Sequence, residues 1–232
     1  MRLDEARRDL YRRKAKEEGY RSRAAYKLLQ LNNKYKLIRP GFSVVDIGAA
    51  PGGWLEVASK IVGPRGIVVG ADLVAIKHVG KNVKTIETDV LSPEFSAQIH
   101  YLVGRGKVDV VLSDMSPKLS GIWDMDHFKQ IELCHKVVDL LPEILAQGGS
   151  SVMKAFHGAE LDPLTKRLRG SFARLEISKP EASRSESSEV YLVGLDFSGA
   201  VPSRPSEEPE EASPSVPRLD SVEYDWPSDR LS

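Results

Sequence analysis

The stretch Val44-Val45-Asp46-Ile47-Gly48-Ala49-Ala50-Pro51-Gly52-Gly53-Trp54 decides how this chain folds. A β-branched run ends in an acidic residue, passes through a turn of small residues, and continues into the helical pattern Leu55-Glu56-Val57-Ala58. That order predicts strand, turn and helix, with the turn stripped of side chains so that a ligand can approach the backbone. The helix start behind such a turn offers free N–H groups and a positive dipole end. In an open parallel sheet, nucleotide-like ligands sit at this place, beyond the carboxyl end of a strand.

Outward from the turn, strand and helix patterns alternate. Strands are expected at 43–47, 67–72, 83–86, 108–114, 150–156, 172–177 and 189–196, and helices at about 126–146 and 160–169, with Gly148-Gly149 closing the longer helix. The alternation predicts an α/β fold with a mostly parallel seven-stranded sheet and helices on both faces. No helix separates the last two strands, which are expected to form an antiparallel hairpin. Residues 1–40, ending at Pro40-Gly41, read as a basic helical arm with 13 Lys and Arg against 5 Asp and Glu. Within it Ala24, Ala25, Leu28, Leu29, Leu31 and Tyr35 recur at helical spacing. Residues 41–198 form the ligand-binding domain, and residues 199–232 a Pro- and Ser-rich acidic tail that is expected to be disordered, with Tyr224 and Trp226 as a small docking element within it. The net charge of zero therefore hides a basic head and an acidic tail, and the basic arm suggests a polyanionic partner.

Composition sets the remaining bounds. With 41% hydrophobic and 28% charged residues, a chain of 232 residues makes one substantial soluble core. Its single cysteine, Cys134, excludes an internal disulfide and a multi-cysteine zinc site; it sits in a helical pattern as a buried, inert thiol, and no metal is expected. Neither a signal-peptide core nor an apolar run of membrane-spanning length is present, so a cytoplasmic protein with no membrane partner is expected.

The turn matches neither G-x-G-x-x-G, because Ala49-Ala50-Pro51 follows Gly48, nor the phosphate-cradling G-x-x-x-x-G-K-[ST]. Asp-x-Gly-x-x-Pro-Gly-Gly instead resembles the first motif of S-adenosylmethionine-dependent methyltransferases. Strand after strand ends in a charged residue: Asp46, Asp72, Asp89 and Asp114 at or just after four of them, with Lys154 inside a fifth. Asp72, about 20 residues beyond the glycine turn, suits ribose hydroxyls, and Asp89 suits an adenine amino group. Lys154 lies among Val152, Met153, Ala155 and Phe156 and so needs a carboxylate partner or a depressed pKa. Glu189 opens a late strand, and the two side chains could simply pair with each other.

Five segments in register resemble the FtsJ-type RNA ribose 2′-O-methyltransferases, and within them the ribosomal RNA large-subunit enzymes of archaeal type. They are Tyr20-Arg21-Ser22-Arg23-Ala24-Ala25-Tyr26-Lys27-Leu28, the Asp46–Trp54 turn, Asp114-Met115-Ser116-Pro117, Val152-Met153-Lys154-Ala155-Phe156, and Ser183-Arg184 with Ser188-Glu189-Val190-Tyr191. The resemblance spans about residues 10–196. It implies a Rossmann-like methyltransferase fold, a catalytic set of Lys27, Asp114, Lys154 and Glu189, and S-adenosylmethionine as cofactor at Asp46, Gly48, Gly52, Gly53, Trp54, Asp72, Asp89 and Asp114.

In that reading Lys154 is the base for a ribose hydroxyl, its pKa lowered by Lys27 and partial burial, while Asp114 orients it and Glu189 holds the lysines in register. The arm would contact phosphates, and Trp54, Tyr26 and Trp123 are the aromatics available for base stacking, Trp123 being the best placed. No role falls to His157. The acidic tail is too short and polar to be the RNA-binding barrel that some archaeal relatives carry. The implied substrate is a uridine ribose in the A-loop of large-subunit (23S-type) ribosomal RNA, methylated late in subunit assembly by a monomer. The alternatives are the tRNA anticodon loop and a non-catalytic assembly factor. A base methyltransferase is disfavoured because Asp114-Met115-Ser116-Pro117 departs from the amino-directed motif and Cys134 is badly placed for a nucleophile.

Overall fold

The computed structural model describes residues 3–104, 106–184 and 186–204. Two helices, α1 (Leu3–Glu17) and α2 (Ala25–Tyr35), precede the sheet. Then follow β1 (Ser43–Ile47), α3 (Gly53–Val62), β2 (Ile67–Asp72), β3 (Val83–Glu87), α4 (Phe95–Val103), β4 (Val108–Ser113), α5 (Trp123–Ile144), β5 (Leu145–Phe156), α6 (Leu161–Arg169), β6 (Phe172–Ser178) and β7 (Glu189–Phe197).

The seven strands lie in the order β3-β2-β1-β4-β5-β7-β6. Pairing is parallel from β3 through β5 and antiparallel where β7 joins β5 and β6. The expected hairpin is therefore present, although β7 inserts between β5 and β6. Chain order reverses between β1 and β4, so a crevice opens beyond their carboxyl ends, next to the Gly48 turn and Asp114.

Side-chain alternation along the strands divides the core in two. Val45 and Ile47 of β1, Val69 of β2 and Val111 of β4 pack with Phe95, Ile99, Val138 and Leu141 from α4 and α5. Val44, Val68, Val110 and Leu112 point the other way and pack with Leu28 and Leu31 of α2 and Leu55 and Val57 of α3. Burying each such side chain fully contributes about 1.5–3 kcal/mol. Helix α2 thus belongs to the core, and the packed fold begins before residue 40, because its apolar face (Ala25, Leu28, Leu31) needs the sheet to cover it.

Further boundaries differ from the sequence expectation. Helix α5 begins at Trp123 and ends at Ile144, and Gly148-Gly149 does not cap it but lies inside β5. There the register slips between Val108 and Val110 of β4, with Gly148 at φ +77°, a bulge that only a residue tolerant of the left-handed region makes cheaply. The packed chain also runs past 199: Val201 rests on the core, and the Pro202 carbonyl accepts from Arg167 Nε at 2.8 Å. Tail residues 205–232, including Tyr224 and Trp226, lie outside the described residues. No helix among the described residues is long and apolar enough to cross a membrane.

Candidate active site

Four charged side chains converge from four elements. Lys27 comes from the inner face of α2, Asp114 from the end of β4, Lys154 from the buried part of β5, and Glu189 from the first position of β7. They form two ion pairs. Lys27 Nζ donates to Glu189 Oε1 at 2.6 Å, and Lys154 Nζ lies 3.2 Å from Asp114 Oδ1 while donating to the Asp114 carbonyl at 2.8 Å. Lys154 and Glu189 are therefore not each other's partner, because β5–β7 register puts Lys154 opposite Tyr191 and Glu189 opposite Phe156. Both lysines are largely buried, at 8% and 7% exposure for Lys27 and Lys154, which only their pairing makes affordable.

Tyr191 joins the pairs. Its hydroxyl donates to Asp114 Oδ1 at 2.8 Å, lies 3.2 Å from Glu189 Oε1, and accepts from Lys27 Nζ at 3.1 Å. A phenol has one proton to give, so the shorter bond to Asp114 is the one it makes best. Burial, followed by the Asp114 and Glu189 charges, pushes this phenol well above its ordinary range, so it stays a neutral donor and does not act as a base. For Glu189 burial alone would raise the carboxyl, but the Lys27 charge and hydrogen bond, the Lys154 charge and the Ser183 hydroxyl outweigh it and hold the group below 4.5. The Lys154 carbonyl accepts from Gln130 Nε2 at 2.7 Å and from the Cys134 thiol at 3.1 Å, fixing that end of β5. Burial pushes Cys134 up to about 12 despite Gln130 and Lys154, leaving it an inert thiol. The part Tyr191 plays is hidden in the sequence, since a tyrosine in a late strand reads as core.

A cavity of about 670 Å³ adjoins this cluster. Gly48 and Ala50 of the turn, Asp72 at the end of β2, Thr88 and Asp89 after β3, and Asp114 to Lys118 after β4 form its walls. Gly48 adopts φ +79°, and a Cβ there would meet Met115 Cγ at 2.3 Å, so any larger residue would push that wall aside. Asp72 ties the wall together, accepting from the Ala50 amide at 2.8 Å and the Val74 amide at 3.1 Å. Asp89 accepts from the Leu91 amide at 2.9 Å. Of the expected cofactor residues, Gly48, Asp72, Asp89 and Asp114 border the cavity. Gly52, Gly53 and Trp54 do not: Gly53 lies beneath Ser22, and the Trp54 ring packs on Tyr191 while its indole donates to the Ala24 carbonyl at 2.8 Å. Tyr26 likewise packs against Tyr11 and Tyr20 and is not available for stacking.

Asp46 is buried beneath the turn with neither carboxylate oxygen hydrogen-bonded. Burial foremost, and then the Asp114 and Asp72 charges, push it well above the carboxylate range. The unfolded chain ionises this group near 3.8 whereas the folded protein retains the proton, so its contribution is complete below that pH and is lost as pH rises above it. Asp46→Asn has no proton to lose. It is expected to raise the Tm of the free protein by several degrees near pH 8 and by less near pH 5, while weakening cofactor binding; thermal melts across that range check this.

Arg21 is a second residue whose role the sequence hides. Its backbone amide and Nε donate to Glu56 at 2.9 and 3.0 Å, Nη1 donates to the Pro51 and Lys77 carbonyls at 3.1 and 2.7 Å, and Nη2 reaches the His78 carbonyl. One guanidinium thus pins the turn, the 73–82 loop and α3 together, using most of its donors. Arg21→Ala is expected to cost about 2 kcal/mol, a Tm loss of about 5 °C, and to weaken cofactor binding as the turn loosens; calorimetry of both quantities tests it.

The chain is 50% identical over 196 residues to the ribosomal RNA large subunit methyltransferase E of Methanothermobacter thermautotrophicus, covering 84% of this chain and 92% of that one. It is 42% identical over 201 residues to the protein of the same name from Coxiella burnetii, covering 85% and 94%. Among solved structures, a ribosomal RNA methyltransferase from Plasmodium falciparum superposes with a TM-score of 0.71 at 27% identity, over 78% of this chain and all of that one. Aeropyrum pernix fibrillarin, solved with natively bound S-adenosyl-L-methionine, shares the fold with a TM-score of 0.53 at 20% identity, over 76% and 75% of the two chains. Residues 20–197 match the family described as FtsJ-like methyltransferase, and the chain belongs to that family.

Proposed function

We propose that this protein transfers a methyl group from S-adenosylmethionine to a ribose 2′-hydroxyl of large-subunit ribosomal RNA. One observation carries the reading: Asp114 borders the cavity and is also paired with Lys154, so the ligand space and the two-lysine, two-carboxylate cluster are one site. Support for the substrate comes from the names of the relatives at 42–50% identity.

The residues present fit the donor. Asp72 and Asp89 on the cavity wall can accept from ribose and adenine groups, with Gly48 leaving space between them. Asp114 on the cavity wall suits the cationic end of the molecule, and Asp46, buried beneath the turn, supports that wall from below. Gly52, Gly53 and Trp54 act by shaping the turn. When bound, S-adenosylmethionine supplies a methyl group on a sulfonium, open to in-line attack. Lys154, after passing its own ammonium proton to solvent, would take the 2′-hydroxyl proton as the oxygen bonds to the methyl carbon and the carbon–sulfur bond breaks. The proton would end on Lys154 Nζ, with the thioether of the donor as the leaving group. Asp114 orients Lys154, the Lys27–Glu189 pair fixes the far side of the cluster, and the Tyr191 hydroxyl, donating to Asp114 and accepting from Lys27, links the two pairs.

The basic arm supplies sequence-independent contacts to phosphates, giving an affinity that falls with salt. The target is a uridine of the A-loop, modified by a monomer in the cytoplasm late in subunit assembly. Labelled methyl transfer to large subunits, stripped ribosomal RNA and tRNA in parallel tests this. Label mapping to an A-loop uridine is expected. Label in tRNA alone would replace the substrate, and no transfer to any acceptor despite donor binding would remove the activity.

A further inference from the structure

The mechanism leaves unused an apolar surface beside the cavity. Leu119, Ile122, Trp123, Met125 and Phe128, within ten residues of chain, are all exposed, Trp123 at 47%. Such side chains normally turn inward, and a cluster of them on one rim marks a contact surface.

The surface is built rigidly. The Asp126 carboxylate accepts from the Ser120 amide at 2.7 Å, the Ser120 hydroxyl at 2.8 Å and the Gly121 amide at 3.0 Å, locking the loop that leads into α5. The Trp123 ring lies nearly parallel to His127 (centroids 5.8 Å apart, 17°) and to Phe156 (5.9 Å, 27°). The backbone at Gly158 backs the His127 ring so closely that a Cβ there would come within 2.6 Å of it. Phe156 follows Lys154 by two residues on β5 and stands opposite Glu189, so the indole is one aromatic ring away from the catalytic cluster.

The geometry points to Trp123 as a stacking platform for an unpaired base of the RNA substrate, with Leu119 and Ile122 beside it as an apolar shelf. This rests on the RNA methyltransferase reading above. The choice of occupant follows from charge and continuity. Lys118 and Lys129 are exposed on the adjoining wall of the donor cavity; of the nearby carboxylates Asp126 is consumed within the loop and Glu132 pairs with Arg204, while Asp124 and Glu160 are exposed. A flat exposed ring, with two lysines on the neighbouring cavity wall, suits a nucleotide, with its base on the indole and its phosphate toward the lysines. Attack on the methyl carbon requires the ribose to be held still, and a stacked base next to the hydroxyl does that.

Three variants test the platform: Trp123→Ala, Trp123→Leu, which still covers Phe156 but has no π face, and Trp123→Phe. Steady-state methylation of stripped ribosomal RNA, the Kd for S-adenosylmethionine and the Tm are measured for each. The Ala and Leu variants are expected to raise the KM for RNA by about 10- to 100-fold, the value of one stacked base, with unchanged donor Kd and Tm; the Phe variant is expected to stay within a few-fold of the parent. A wild-type KM in the Leu variant would mean that the indole only shields Phe156, and would overturn the platform. Self-association of the parent that the Ala variant loses, with KM unchanged, would give the shelf to a second copy and overturn it too. Both results require an active parent enzyme, so they are distinct from failure of the methyltransferase reading, in which the parent itself transfers no label.

Discussion

Lys154→Ala is expected to lower single-turnover methyl transfer by about 10²- to 10⁴-fold, the usual worth of a positioned base, while donor affinity changes little. The side chain reaches no cavity wall except through Asp114, so its loss should be felt in the chemical step and not in binding. Lys154→Arg separates proton transfer from charge. A guanidinium can keep the pairing with Asp114 but cannot give up a proton in a protein, so the arginine variant should be nearly as inactive as the alanine one. Rapid-quench measurement with saturating donor reads both. An arginine variant with more than about a tenth of the parental rate would move Lys154 from base to electrostatic support.

Glu189→Ala is expected to have the largest effect on stability. It leaves the Lys27 ammonium buried with only the Tyr191 hydroxyl as partner. Removing one member of a buried pair costs about 3–5 kcal/mol, which in a domain of this size is a Tm loss of about 10 °C. The carboxyl of Glu189 is held below 4.5, so its stabilisation is complete above that pH and is lost as pH falls through the lowered folded value. The Tm gap between parent and variant should therefore be widest near neutrality and should close in acid. The double variant Lys27→Met, Glu189→Leu, which replaces the pair with apolar groups of similar volume, should recover most of the Tm but not the activity. Recovery of both would reduce the pair to a structural element.

How far the sequence could be read depended on whether a residue acts through its own strand or through a distant partner. The seven strands, the antiparallel hairpin and the charged strand ends were legible because period-two burial and a terminal acid are local signals. Lys27, Asp114, Lys154 and Glu189 could be proposed as a set only through family resemblance, and the pairing of Lys154 with Asp114 rather than Glu189 depends on β5–β7 register, which a linear pattern does not carry. Helix α4 fell outside the expected series, although Phe95, Ile99 and Val103 recur at four-residue spacing, because nine residues hold barely two periods. Gly148-Gly149 imitates a helix stop, and only the slipped β4–β5 register reveals a bulge. The Arg21 clamp spans up to 57 residues of sequence, and Tyr191 gains its part from three partners on other elements or positions. Trp54 and Tyr26 looked like ligand aromatics but are core, which burial alone decides.

The most direct test of the account is the position of the methyl group on the product. Ribosomal RNA labelled by the enzyme from S-adenosylmethionine is hydrolysed in alkali, which cleaves each linkage through its free 2′-hydroxyl and spares a linkage whose 2′-oxygen is methylated. Label is expected in alkali-resistant dinucleotides that begin with uridine, and its loss is expected with Lys154→Ala. Label in ordinary mononucleotides would place the methyl on a base and contradict the proposed chemistry.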